Sequence, residues 1–318
     1  MHFLSNKELD NLSISERKEY FYALRDYCLL IKDNQLQIGQ ELIYRLYPLL
    51  RNYKLELEGI ENIPNDSNVL FVVNHSNSHD IFTAYEILSK LNRKGSVMVA
   101  TDCLNTATTQ IFNISNATLL DRRKAEDRNT SIYRFSKKIL EGKDGVIFGE
   151  STWNLHPIKP MHNIKQGASK ICAITQVPII PTIFEYIETN DFVDKEKDLI
   201  KKCIIRFGKP IIINYDDDLI SQTNKIKQGM IDIRKGIWTD YNIDRRFISN
   251  IDPELYVNHT YSKKFEAFGF TYDSRKEQEY ILFSEGEPNE NEYCINPNGE
   301  FVPGITEKNA KLRKVLKM

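Results

Sequence analysis

Val69-Leu-Phe-Val-Val-Asn-His-Ser-Asn-Ser-His-Asp-Ile-Phe-Thr-Ala-Tyr-Glu-Ile-Leu88 passes from a continuous apolar run through a polar loop into a second periodic segment. Val69 to Val73 are apolar without alternation, the pattern of a short strand covered on both faces. Beyond the loop, Ile81, Phe82, Tyr85, Leu88 and Leu91 recur at three- and four-residue spacing, which predicts a helix with one buried face. A buried strand, a loop and a covering helix make the repeating unit of an α/β sheet.

The same unit recurs on either side. Ser96–Ala100, Gly145–Phe148, Val177–Phe184, Cys203–Phe207 and Ile211–Ile213 have strand character, and Ile132–Leu140 and Lys165–Thr175 have helical rhythm between them. Upstream, Lys54–Glu58 alternates as a strand with one wet face, and Gly59 to Asp66, containing Pro64, forms a turn. From Ile14 to about Arg51 apolar residues return at helical spacing, and from Asp216 the chain is again helical. The expected fold is α/β, with a mostly parallel central sheet flanked by helices, N-terminal helices and a small C-terminal appendage. The expected division is 1–52 helical region, 53–250 main domain and 251–318 appendage, the last being rich in Tyr, Phe, Glu and Asn without a period.

Composition narrows the function. With 43 Lys+Arg against 44 Asp+Glu in 318 residues, the net charge of -1 argues against a protein that attracts nucleic acid by global positive potential. The longest apolar runs fall far short of the roughly 20 residues of a spanning helix, and the N-terminus has no continuous apolar core of the secretory kind. The expected compartment is the cytoplasm. Cys28, Cys103, Cys172, Cys203 and Cys294 are scattered with no Cys-x-x-Cys pair, so they are expected to be reduced, buried, small apolar residues. No Gly-x-Gly-x-x-Gly follows a strand and no Gly-x4-Gly-Lys-Ser/Thr occurs, which disfavours dinucleotide and P-loop chemistry.

Chemistry concentrates in the loop after the Val69–Val73 strand, because ligands of α/β sheets bind at the carboxyl ends of strands. His75 and Asp80 lie five residues apart, about 140° around a regular helix, so they meet only if a turn separates them. With Ser78 or Asp80 starting the helix, the carboxylate comes to the ring. A carboxylate on one imidazole nitrogen fixes the tautomer and lets the other nitrogen take a proton from a hydroxyl. The spacing alone fits an ordinary hydrogen-bonding loop histidine better than a catalytic one. His75 and His79 are four apart, but no third ligand is marked, and no metal is expected. His156 and His162, flanking Pro157 and Pro160, are expected at the surface.

Several segments in a fixed order sharpen this. Asn74-His75 with Asp80 resembles the Asn-His-x4-Asp block of the glycerolipid acyltransferase family, the lysophosphatidic acid acyltransferase-like enzymes. Ala117-Thr-Leu-Leu-Asp-Arg-Arg123 resembles its second block, Gly145-Val-Ile-Phe-Gly-Glu-Ser-Thr152 its third, Phe-Pro-Glu-Gly-Thr, and Val177-Pro-Ile-Ile-Pro181 its fourth. Lys165–Lys170 and Phe207–Pro210 resemble connecting segments, so the likeness spans roughly residues 55 to 215.

The resemblance implies transfer of a fatty acyl group from a thioester, on coenzyme A or acyl carrier protein, to an acceptor hydroxyl such as that of a lysophospholipid. His75 is then the base and Asp80 its partner, with no acyl-enzyme and no cofactor beyond the thioester co-substrate. Substrate-side roles fall to Asn74, Arg122, Glu150, Ser151, Thr152 and Trp153, with Arg122 on an acceptor phosphate and Asp121 orienting that arginine. The third block departs from the family, with Gly149, Ser151 and Trp153 where it has Pro, Gly and usually Arg. Losing that arginine opens the acceptor to soluble hydroxyl compounds. Expected partners are the acyl donor, a lipid or small hydroxyl acceptor and the inner membrane surface as a peripheral contact, with no nucleic acid. A hydrolase using the same dyad, and a non-catalytic lipid or acyl carrier binding protein, are the alternatives.

Overall fold

The chain enters through three helices, α1 (Asn6–Asp10), α2 (Ile14–Leu30) and α3 (Ile38–Leu50), before its first strand. There follow β1 (Lys54–Glu58), β2 (Leu70–Val73), α4 (Asp80–Lys90), β3 (Gly95–Ala100), α5 (Thr106–Ile114), β4 (Thr118–Leu120), α6 (Ala125–Leu140) and β5 (Asp144–Phe148). The order closes with α7 (Gly167–Thr175), β6 (Ile179–Glu188), β7 (Ile200–Phe207) and α8 (Leu219–Asp240). This computed structural model describes residues 3–32, 38–77, 79–101, 104, 106–151, 154, 160–188 and 200–243. The expected boundary near 250 and the appendage 251–318 lie outside the described residues, as do Cys103, Cys294, Thr152, Trp153, His156 and Ser78.

The seven strands form one sheet in the order β1-β7-β6-β2-β5-β3-β4. All neighbours run parallel except β6 and β7, which pair antiparallel. β2 lies in the middle, and its residues alternate between two cores. Val69, Phe71 and Val73 face a core shared with α3, α4 and α5, while Leu70 and Val72 face one shared with α6, α7 and α8. Burial on both faces is why this strand carries no polar residue. A third cluster holds α1 and α2, through Phe3, Phe21, Leu24 and Cys28, against Tyr133 of α6 and Ala173 and Ile174 of α7.

Local chemistry sets the helix entries. Ser13 and Glu16 form a capping box at α2, and Ser5 and Glu8 do the same at α1. β1, β2, β3, β5, β6 and β7 and the helices α4 and α7 fall close to where periodicity placed them, β4 and α5 carry no such signal, and α6 begins earlier, at Ala125. Ile211–Ile213 does not form a strand: Ile211 makes one antiparallel bridge with Ile179, and the chain then turns at Tyr215 to Asp217. Cys28, Cys172 and Cys203 are buried free thiols.

Parallel register puts the carboxyl ends of β2, β3, β4 and β5 on one edge, so the loops after Val73, Ala100, Leu120 and Phe148 emerge together.

Candidate active site

Asn74 ends β2. Its side-chain amide donates to the Phe184 carbonyl at 3.0 Å and accepts from the Phe184 N–H at 2.7 Å, tying the loop to β6. The chain then turns through residues 75–79 and starts α4 at Asp80, with His79 as N-cap. Asp80 is fully buried, and its Oδ2 accepts from His75 Nδ1 at 2.7 Å, Ser76 N–H at 2.7 Å and Asn77 N–H at 2.9 Å. The helix N-terminus adds its positive end to these donors. Three donors on one oxygen hold the carboxylate, and the carboxylate holds the ring.

Phe148, the last residue of β5, stacks beneath His75, with ring centroids 4.4 Å apart and planes at 23°. Contact on one face and a carboxylate at Nδ1 leave the imidazole little rotational freedom. Such a ring, with its Nδ1 proton toward Asp80, offers Nε2 as a base.

Glu150 follows in the adjacent loop and is buried. Its Oε2 accepts from His75 N–H at 2.8 Å and its Oε1 from His162 N–H at 2.7 Å. Both carboxylate oxygens therefore brace backbone, joining the loop after β2 to the segment around His162. This corrects the expectation that His162 lies at the surface: with its N–H drawn in by Glu150, it is buried. Ser151 next to it has φ 61°, a left-handed conformation that glycine adopts without strain, which gives a physical reason for the glycine of the family pattern. Gly149 is tightly packed, since a Cβ there would sit 3.1 Å from Val72 Cγ1 and 3.2 Å from Ile164 Cγ2, so these side chains would have to give by a few tenths of an ångström.

Arg122, after β4, donates from Nη1 to the Ser151 carbonyl at 2.7 Å, so the second and third blocks meet in space. Asp121 does not orient Arg122. It pairs with the exposed Arg123, accepting at 2.9 and 3.0 Å, and the guanidinium lowers its pKa to about 2. Arg128, in the first turn of α6, donates to the Arg122 carbonyl at 2.6 Å.

Between these loops lies a cavity of about 470 Å³, inside the roughly 300–1,000 Å³ range of small-ligand sites. His75, Arg122 and Ser151 line it, whereas Asn74, Asp80 and Glu150 stand behind the lining. Ile81, Met98, Val99, Leu104, Leu120, Ile132 and Ile147 give it apolar wall, and Arg128, Lys165 and Lys170 join Arg122 as basic residues. One site thus offers apolar surface, positive charge and a carboxylate-held imidazole together. Lys165 and Lys170 were legible only as part of a connecting segment; their place beside His75 depends on α7 starting at the same sheet edge.

The Acyltransferase family model matches residues 54–185. Among solved structures the chain is similar to the 1-acyl-sn-glycerophosphate (LPA) acyltransferase PlsC from Thermotoga maritima, at 18% identity and a TM-score of 0.44 over 69% of this chain and 95% of that one. No curated protein sequence matches it.

Proposed function

We propose that residues 54–185, which the Acyltransferase family model matches, form an acyltransferase domain that moves a fatty acyl group from a thioester donor to an acceptor hydroxyl, with His75 as general base. The observation that carries the mechanism is the 2.7 Å contact between His75 Nδ1 and the buried Asp80 carboxylate, at the wall of a cavity with apolar and basic surfaces.

In this reading the acceptor hydroxyl gives its proton to His75 Nε2 as its oxygen attacks the thioester carbonyl carbon. Asp80 stabilises the imidazolium that forms. Collapse of the tetrahedral intermediate breaks the carbon–sulfur bond, and the departing thiolate takes the proton back from Nε2. No residue of the protein is acylated. The apolar wall suits the acyl chain, and Arg122, with Arg128, Lys165 and Lys170 near it, suits an anionic group on the acceptor or the donor. Asn74 and Glu150 act by holding the two loops.

We take residues 53–250 as the acyltransferase unit, working at the cytoplasmic face of a membrane and using acyl-coenzyme A or acyl carrier protein as co-substrate. No helix among the described residues is long and apolar enough to cross a membrane. The test is thiol release from each donor with and without a panel of hydroxyl acceptors. Acceptor-dependent release with an acylated product supports the reading, and acceptor-independent release of free acid replaces it with a hydrolase.

A further inference from the structure

On the α3–α4 side of Asp80, four hydroxyls and an imidazole are hydrogen-bonded in series. Tyr186 donates to Thr83 Oγ1 at 3.2 Å, Thr83 Oγ1 lies 2.9 Å from the Tyr53 hydroxyl, Tyr53 2.7 Å from the Tyr47 hydroxyl, and Tyr47 3.0 Å from His79 Nδ1. All four hydroxyl-bearing residues are buried. Burial raises the tyrosine pKa values well above the ordinary phenol range, and the charge of Asp80 adds to this at Tyr186. Each is therefore a neutral hydroxyl with one proton to give.

Tyr186 donates to Thr83 Oγ1, and at the Thr83–Tyr53 and Tyr53–Tyr47 contacts either hydroxyl can be the donor, while the His79 tautomer sets the role of Nδ1 toward Tyr47. Every member of the series has a partner, the condition under which a buried polar network rigidifies its surroundings. Members of the series also flank Asp80. His79 precedes it as N-cap, Thr83 follows it three residues on in α4, and Tyr186 stands in β6 within reach of its charge. The Oδ1 of Asp80 has no hydrogen-bond partner among the described residues, so its orientation depends on Oδ2 and on these flanks.

We infer that Tyr47 and Tyr53 are positioning residues of the active site, which act through His79 and Thr83 to fix both flanks of Asp80 and so the orientation of His75. This rests on the proposed function for its consequence, but not for its geometry. Tyr47 belongs to α3 and Tyr53 to the connection into β1, both upstream of residues 54–185. The N-terminal region would thereby be part of the site and not an accessory to it.

Tyr47→Phe removes the hydroxyl but keeps the ring that stacks on Phe82, with centroids 5.3 Å apart. Thr83→Val cuts the series at its branch, and Thr83→Ser restores the hydroxyl. Two readouts are taken on the full chain: the downfield proton resonance of His75 Nδ1–H, assigned by its loss in His75→Gln, and kcat and KM for acyl transfer. Expected are a displaced resonance and a roughly ten- to hundredfold lower kcat at unchanged KM in Tyr47→Phe and Thr83→Val. Thr83→Ser should recover both, and the exposed-site control Leu49→Ala should change neither. A resonance and kcat at wild-type values in both Tyr47→Phe and Thr83→Val would overturn the inference. A displaced resonance in Tyr47→Phe together with undiminished transfer by His75→Gln upholds the positioning role and rejects His75 as the base.

Discussion

Asn74 and Phe184 exchange hydrogen bonds in both directions, the side-chain amide of one answering the backbone N–H and carbonyl of the other at 2.7 and 3.0 Å. The pair extends the β2–β6 ladder by one step beyond Val73↔Thr182, using a side chain where the backbone has already turned away toward His75. An asparagine supplies a donor and an acceptor in one planar group, which neither aspartate nor leucine does.

Asn74→Ala is accordingly expected to lower stability by about 2–4 kcal/mol, because it strands a buried N–H and a buried carbonyl together. Chemical denaturation measures the loss. A change under about 0.5 kcal/mol, the scale of an ordinary surface substitution, would mean that water or neighbouring groups replace the amide.

Ser151 offers a stabilising change. Its φ of 61° carries a conformational cost that glycine does not have. Ser151→Gly should raise the free energy of unfolding by about 1 kcal/mol. A lower denaturation midpoint in that variant would show that the serine side chain contributes more than the strain removes.

Arg122 bridges to the Ser151 carbonyl at 2.7 Å while lining the cavity. Arg122→Lys keeps the charge but loses the planar fork. For an acceptor with an anionic group, KM should rise roughly tenfold with kcat nearly unchanged, the signature of lost uniform binding. Steady-state kinetics on charged and uncharged acceptors would expose an error if the uncharged acceptor suffered equally.

The cluster holding α2 should weaken in alkali. Burial raises the Cys28 thiol pKa from 9.0 to about 12, and the Tyr20 hydroxyl from 10.0 to about 12. Because the folded values are the higher ones, the unfolded chain loses these protons first. The stability these groups contribute is complete below about pH 9 and declines as pH rises toward 12. Denaturation midpoints across that window should fall, and the Cys28→Ala variant should show a shallower fall. A midpoint that stays level through it would contradict the burial of these groups.

Much of this was legible in sequence because β2 and α4 carry strong, uninterrupted patterns. The unbroken run Val69–Val73 belongs to a strand covered on both faces, and the His75–Asp80 spacing is closed by the turn that the start of α4 at Asp80 requires. What was hidden depends on contacts far apart in the chain. Glu150 looks like a substrate contact until His162 N–H and His75 N–H are found on its two oxygens. Asp121 precedes Arg122 directly, yet side-chain direction gives it to Arg123. α5 and β4 leave little mark in the sequence because Thr106–Ile114 is short and rich in Thr, and Thr118–Leu120 is only three residues long. The hydroxyl series joins α3, the entry to β1, α4 and β6, and no local spacing records such a meeting.

The mechanism proposed for this site requires the imidazole of His75, held by Asp80, to take the acceptor's proton. The most direct measurement is acceptor-dependent thiol release by His75→Ala beside the wild-type protein, with the unfolding midpoint of each recorded in the same buffer. Turnover should fall by about 10²–10⁴-fold at an essentially unchanged midpoint. Turnover within about threefold of wild type, set against that expected loss, in a variant that remains folded would contradict it.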